Sequence, residues 1–423
     1  MIKRDFYLEE LKSSMWDGQI KVITGLRRVG KSVLLFELFK NYLLSIGVLE
    51  ENIIIISLDQ RKYYKYRNPI LLCDYVESII NNSKDQYYVF IDEIQMSIKT
   101  IDKENGNIEV TIYDMLNELK SYKNLDVYVT GSNSKMLASD ILTEFRGRST
   151  QIHVYPLSFE EYYSFKGGDE ARCLNEYMLY GGMPRLTELN DDNAKKRYLI
   201  SLYEEVYIKD IKERNGIERE DILEEILDYL SSQISSLTNP TKVANVISSE
   251  KKEKIDNNLV SHYINHSVNA FLILIAKRYD IKGKSYFKYP NKYYFTDVGL
   301  RNARLNFRQF DPGHLMENII YVELKRRGYS VDIGVVYDRH NKTTAVKEVD
   351  FVVNDGDRRI YIQSALRMEE DSKINSEIHS LMLTNDFFKK IIIRNDIYHN
   401  YYDNDGIFHC SLIDFLLNRV DLF

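Results

Sequence analysis

Residues 25 to 32 read GLRRVGKS, and they sit between the short apolar run KVIT (21 to 24) and the helically periodic stretch VLLFELFKNYLL that starts at Val33. Two glycines around four variable positions, then Lys-Ser at the mouth of a helix, specify a strand, a tight loop and a helix whose first N–H groups point into the loop. A backbone folded this way cradles phosphate oxygens. It also commits the first third of the chain to an α/β architecture. The later runs NIIIISLD (52 to 59), YYVFID (87 to 92) and LDVYVTG (125 to 131) are continuously apolar, not alternating. That pattern predicts a parallel sheet buried on both faces, with helices as crossovers. KENGNIEV (103 to 110) reads as a polar surface loop before the helix TIYDMLNELKSY.

Chemistry follows from these strand ends. Gly25, Arg28, Val29, Gly30, Lys31, Ser32 and Val33 form the expected cradle for ATP, with Lys31 bridging the β- and γ-phosphates and Ser32 placing its hydroxyl on Mg²⁺. YYVFIDEIQ ends a strand in two carboxylates: Asp92 is expected at the metal, and Glu93 is expected to polarise an attacking water. Thr130 or Ser132, at the end of a third strand, is positioned to touch the γ-phosphate or that water. Downstream, FRGRS offers Arg146 and Arg148. Arg148 is the candidate for stabilising transition-state charge in a neighbouring subunit of a homo-oligomer, and a surface ion pair at a helix end is the competing reading.

At 423 residues the chain exceeds one ordinary core, since domains run about 100 to 200 residues. A helical rhythm takes over from SFEEYYSF (158 to 165), and a different one begins near 236. The expected organisation is an ATPase domain (1 to 155), a helical lid (156 to 235), a winged-helix domain (236 to 305) and a final α/β domain (306 to 423). With no apolar run near the roughly 20 residues that cross a bilayer, and no leader at MIKRDFYLEE, the chain is expected to be cytoplasmic and to avoid membranes. Cys73, Cys173 and Cys410 lie far apart, which argues against a disulfide framework or a zinc knuckle.

TGLRRVGKS, FIDEIQ, TGSNSKML with the later RGR, PLSFEEYY, YGGMPR and EVDFVV with IYIQ together resemble the bacterial and archaeal AAA+ superfamily ATPases that carry a C-terminal domain of unknown function with a restriction-endonuclease-like fold. The resemblance spans nearly the whole chain. It implies an ATPase core, a helical extension, a winged helix and a nuclease-like end, and it leaves the purpose of ATP hydrolysis open.

Between Pro240 and Arg304 there are 12 Lys or Arg against 5 Asp or Glu in a chain whose net charge is -6, so this segment is a basic island. Its helix-helix-hairpin order predicts a winged helix, with the hairpin turn at Pro290-Asn291. In the second helix, Leu259, Tyr263, Ile264, Val268 and Phe271 are expected to be buried. Asn258, His262, Asn265, His266 and Asn269 share the polar face, where asparagine can pair with adenine. Lys282, Lys284, Lys288 and Lys292 are expected to neutralise DNA phosphates; the competing reading is a protein-packing module.

A restriction-endonuclease-like site needs an acid at a strand start and then E-x-K on the next strand, so that two carboxylates hold Mg²⁺ and a lysine activates water. Asp350 takes the first position and Glu317 supplies an extra carboxylate. Gln363 and Ala365 stand where the second acid and the lysine belong, which predicts a nuclease-like shape that has lost its catalysis. Three functions compete: an ATP-driven switch acting on nucleic acid, an ATP-dependent switch binding protein partners, and an ATP-regulated nuclease.

Overall fold

In a computed structural model of the chain, which describes residues 2–80, 83–103, 106–131, 149–340, 343–367 and 371–423, the chain divides into two units. The first is Met1–Tyr155 with Asn269–Phe271, and the second is Pro156–Val268 with Leu272–Phe423.

In the first unit the apolar runs become β1 (Ile20–Thr24), β2 (Ile53–Ser57), β3 (Tyr87–Asp92), β6 (Leu125–Thr130) and β7 (Ser149–His153) of one parallel sheet, in the order β2-β3-β6-β1-β7. Every residue of β1, β3 and β6 is buried, as a sheet covered on both faces requires. Because β1 and β3 are separated by β6, the ends of all three strands meet at the carboxyl edge of the sheet, where open α/β sheets place their ligands. The polar loop expected at 103 to 110 contains part of a small antiparallel ribbon, β4 (Thr100–Asp102) with β5 (Ile108–Val110). Its Ile101 and Ile108 face solvent. The helix after the Gly-rich loop runs from Lys31 to Ser45 and widens into a π turn over Leu34–Phe39. This gives an AAA+-like α/β fold.

The second unit begins with a helical lid, including Phe159–Lys166, Glu170–Tyr180, Asp192–Leu202 and Glu220–Ser232. Helices Pro240–Lys251 and Asn257–Asn269 then lead into β8 (Ile273–Ala276), β9 (Arg278–Asp280), β10 (Ser285–Tyr286) and β11 (Lys292–Phe295). The hairpin reverses at residues 280 to 284, not at Pro290-Asn291, because Asp280 accepts the Lys282 and Gly283 N–H groups and closes a local turn there. β8 pairs with β11, whereas β9 runs parallel to β12 (Ser330–His340). The outer half of the wing is therefore part of an eight-stranded sheet with β12, β13 (Thr343–Asp355), β14 (Arg358–Ala365), β15 (Lys389–Arg394), β16 (Tyr401–Tyr402) and β17 (Phe408–Ser411). Ile281 at the wing tip is buried with Val336, Val349 and Tyr361 in the core of that sheet.

The YGG-x-P break is explained by one buried carboxylate. Asp297 caps helix Val298–Arg304 through the Leu300 N–H at 3.1 Å and also accepts the Gly182 N–H at 2.7 Å. A Cβ at Gly181 would stand 2.2 Å from an Asp297 oxygen, so the lid can close over the carboxylate only with glycine there. Burial pushes the Asp297 carboxyl up to about 6, against the pull of these N–H groups. The folded chain thus binds this proton more tightly than the unfolded chain, whose value lies near 3.8. The resulting stability is complete below about pH 4 and is lost as pH rises through about 6, a change of about 3 kcal/mol. Denaturant melts between pH 4 and 7 should show this fall in the native chain and a flatter profile in Asp297→Asn.

Candidate active site

The Gly-rich loop closes at left-handed backbone positions, with φ of 136° at Gly25, 63° at Arg28 and 95° at Gly30. Gly25 is required twice over, since a Cβ there would also lie 2.2 Å from the Val154 carbonyl oxygen. Lys31 is buried and turns back over the loop, donating to the Gly25 and Leu26 carbonyls at 3.0 and 2.8 Å. These are neutral acceptors, and phosphate oxygens make stronger charge-assisted partners for the same ammonium. Val29 is buried and Val33 is exposed. Arg4, which nothing in the sequence marks, braces the loop from behind by donating to the Val29 and Tyr155 carbonyls at 3.0 and 2.7 Å.

Ser32, Asp92, Thr130 and Glu93 form one connected set. The Ser32 hydroxyl donates to Asp92 Oδ2 at 2.9 Å, and the Thr130 hydroxyl donates to Asp92 Oδ1. Thr130 Oγ1 in turn accepts the Glu93 N–H at 3.3 Å. Thr130 is fully buried, and its hydroxyl is engaged by Asp92 and Glu93, whose positions it fixes. Glu93 sits at φ 56°, a left-handed conformation that costs a non-glycine residue about 1–2 kcal/mol and aims its side chain off the strand axis. Its carboxylate accepts from Gln95 Nε2. Burial, then the neighbouring Asp92, push the Glu93 carboxyl above its ordinary value, while Lys31, Arg27 and Gln95 pull the other way. Ser132, Arg146 and Arg148 lie outside the described residues.

The expected nucleic-acid face is divided. Asn258, His262 and Asn265 are exposed along helix Asn257–Asn269, and Lys282, Lys284 and Lys288 are exposed on the hairpin. His266 is buried, because the inward face of this helix is Val260, Tyr263, Ile264 and Ser267, turned from the stripe read in the sequence. Lys292 is buried as well, which removes it from any phosphate-contacting surface.

Lys292 belongs instead to a second constellation. Its ammonium lies 2.9 Å from Glu317, 2.5 Å from Glu348 and 3.7 Å from Asp350. Glu317 also accepts from the Tyr294 hydroxyl at 2.7 Å, and Asp350 accepts the Ser364 N–H at 2.8 Å. Gln363 links the Asp350 N–H to Glu377. Lys292, Glu317, Glu348, Asp350, Ser364 and Glu377 line a cavity of about 770 Å³. Burial pushes the Glu317 carboxyl up to about 7, although Lys292 opposes it. Burial also disfavours the Lys292 ammonium, but Glu317, Asp350 and Glu348 outweigh that and hold its pKa well above the usual lysine value. Ala365 leaves β14 without an amine, and the wing places one among the acids from 73 residues earlier in the chain.

A model of the AAA domain matches residues 17–163, and a domain of unknown function (DUF8612) matches residues 171–311. The chain is 32% identical over 422 residues to an uncharacterized protein of Haemophilus influenzae, covering 99% of each chain. It is 28% identical over 380 residues to an uncharacterized protein of Methanocaldococcus jannaschii, covering 86% of this chain and 78% of that one. Among solved structures, the ORC1 protein of Aeropyrum pernix in complex with DNA aligns with 72% of this chain and 92% of that chain, at 10% identity and a TM-score of 0.29, too faint to carry an argument. Among the described residues, no helix is long and apolar enough to cross a membrane.

Proposed function

We propose, for a chain that belongs to the AAA+ P-loop ATPase superfamily and to one full-length family with the Haemophilus influenzae protein, that it hydrolyses Mg-ATP and passes the resulting conformational change to nucleic acid. The contact set Ser32–Asp92–Thr130–Glu93 carries the reading, because it joins the phosphate-binding helix, the acidic strand end and the water-activating position without a gap. Lys31 and the loop N–H groups hold the phosphates. The Ser32 hydroxyl and the Asp92 carboxylate, 2.9 Å apart, are the hard oxygen donors that suit Mg²⁺, which when bound neutralises charge developing on the phosphoryl oxygens. Glu93 orients the attacking water and takes its proton as the new P–O bond forms and the bond to ADP breaks. Arg148 is proposed to add positive charge from a neighbouring subunit.

The route to nucleic acid is the face carrying Asn258 and His262, with phosphate contacts from Lys282, Lys284 and Lys288. On duplex DNA, replacing those three lysines by alanine should reduce the slope of log K against log salt by about 2.7, since each phosphate contact contributes about 0.9. A slope unchanged by the replacement sinks this route and favours the reading as a switch that binds protein partners.

One observation favours a second reading. The amine absent at Ala365 is present in space as Lys292, beside Glu317 and Asp350, so the C-terminal cavity holds the groups needed for metal-dependent phosphodiester hydrolysis. Plasmid incubated with Mg²⁺ or Mn²⁺ tests it. Nicking that disappears in Asp350→Ala supports it, and intact plasmid removes it.

A further inference from the structure

The segment Arg61–Arg67, RKYYKYR, carries four cations and three tyrosines in seven residues, with no acid, in a chain of net charge -6. It follows β2 on the carboxyl edge of the sheet, the edge that also carries Asp92 and Glu93. Arg61, Lys62, Tyr64 and Lys65 are exposed. Three other lysines of this unit pair with glutamates, Lys12 with Glu9, Lys40 with Glu50 and Lys99 with Glu109. Among the described residues, Arg61, Lys62 and Lys65 have no carboxylate partner. The two lysine ammoniums lie instead near rings, with Lys62 at 4.5 Å from the centroid of Tyr63 and Lys65 at 4.7 Å from that of Tyr66.

The ridge is fixed from below. Tyr66 is buried and stacks on Tyr75 at 4.5 Å, and Arg67 donates to the Leu58 carbonyl at 2.7 Å. The Arg67 guanidinium also backs the ring of Tyr64 at 3.9 Å, while Tyr64 remains 48% exposed. Unsatisfied cations beside a supported, exposed ring match a polyanion whose flat bases are free to stack. A duplex hides those faces, whereas the unstacked bases of a single strand present them.

We propose that Arg61–Arg67 is a contact surface for single-stranded nucleic acid on the ATPase unit itself. This deepens the proposed action on nucleic acid and rests on it. The surface is wired to the acidic strand end: Leu58 N–H donates to the Asp92 carbonyl at 3.1 Å, and the Arg67 carbonyl accepts from Ile98 N–H and Ser97 Oγ, both at 2.9 Å. Strand binding therefore stimulates ATP turnover.

The test uses the full chain and a fluorescein-labelled oligothymidylate, read by anisotropy across a salt series. Lys62→Ala with Lys65→Ala should lower the log-log slope by about 1.4, at about 0.7 per contact on a single strand. Tyr64→Ala should weaken binding by about 5- to 150-fold, the range expected for one lost stacking contact, with the slope unchanged. Basal ATP turnover should stay at the native level in both variants, and its stimulation by oligothymidylate should fall. Native binding and slope in both variants overturn the proposal. So does a lysine-only effect with polyglutamate competing as well as the oligonucleotide, which would mark a site for acidic polypeptide. Failure of the parent reading looks different: the hairpin lysine variant would leave duplex binding unchanged, and Glu93→Gln would hydrolyse ATP normally, whatever the oligothymidylate shows.

Discussion

Glu93→Gln should bind Mg-ATP as the native chain does and turn it over about 10²- to 10⁴-fold more slowly, the range a positioned general base contributes. The amide keeps the shape of the side chain and the Thr130 contact to the Glu93 backbone, so nucleotide binding survives. What disappears is the ability to accept a proton from water. Lys31→Ala should behave in the opposite way and lose ATP binding itself, because the ammonium turns inward over the loop's own carbonyls at 3.0 and 2.8 Å, where phosphate oxygens would take it up. Equilibrium binding of a labelled nucleotide and steady-state phosphate release separate the two outcomes. Normal hydrolysis by Glu93→Gln would sink the role given to Glu93. Because burial and Asp92 raise its carboxyl, the acid limb of the native pH–rate profile should lie above the ordinary glutamate range, and no such limb should remain in the variant. The ATP-trapped Glu93→Gln form is also the one to size by light scattering. Ring or filament assembly supports Arg148 acting between subunits, and a persistent monomer removes it.

How much of this was legible beforehand depends on the range of the interactions. The Gly-rich loop is a local object: residues 25 to 32 specify their own turn, and the continuous apolar runs specify a doubly covered sheet. Asp92 and Glu93 are legible for the same reason, as a strand end beside that loop. A hydroxyl at a strand end looks the same in sequence whether it faces ligand or neighbour, so Thr130 and Ser132 stand there as equal candidates for the γ-phosphate or the water. Only the strand order, which inserts β6 between β1 and β3, turns Thr130 toward Asp92. Pro290-Asn291 is the stronger compositional turn signal, but Asp280 closes the turn through its own side chain. Hydrophobicity alone assigns His266 to the polar face. Ser267, small enough to pack closely and bonded to the Tyr263 carbonyl at 3.1 Å, shifts the buried face by its size.

Lys292 shows the limit most clearly, and it yields the largest stability effect expected in the second unit. In sequence it is one more lysine of a basic wing. In the fold it is 4% exposed, and its partners come from a helix and a strand further along the chain, so only tertiary structure reveals it. Removing one member of a buried ionic cluster leaves the others uncompensated, which typically costs about 3–5 kcal/mol. Lys292→Ala should therefore lower the unfolding free energy by that amount, read as a lower denaturant midpoint, with Glu317, Glu348 and Asp350 left facing one another across the cavity. Adding Glu317→Gln and Glu348→Gln to Lys292→Met should restore most of the loss, because the repulsion is then gone and the methionine fills the same space. If Lys292→Ala melts with the native chain, the cluster contributes little and the wing is held by other contacts, such as the buried Ile281. If it is destabilised while the compensated triple variant is not, the lysine acts as a structural counter-ion. A nuclease role would then require in addition that the native chain nick plasmid with Mg²⁺ or Mn²⁺ and that Asp350→Ala fold normally and lose that nicking.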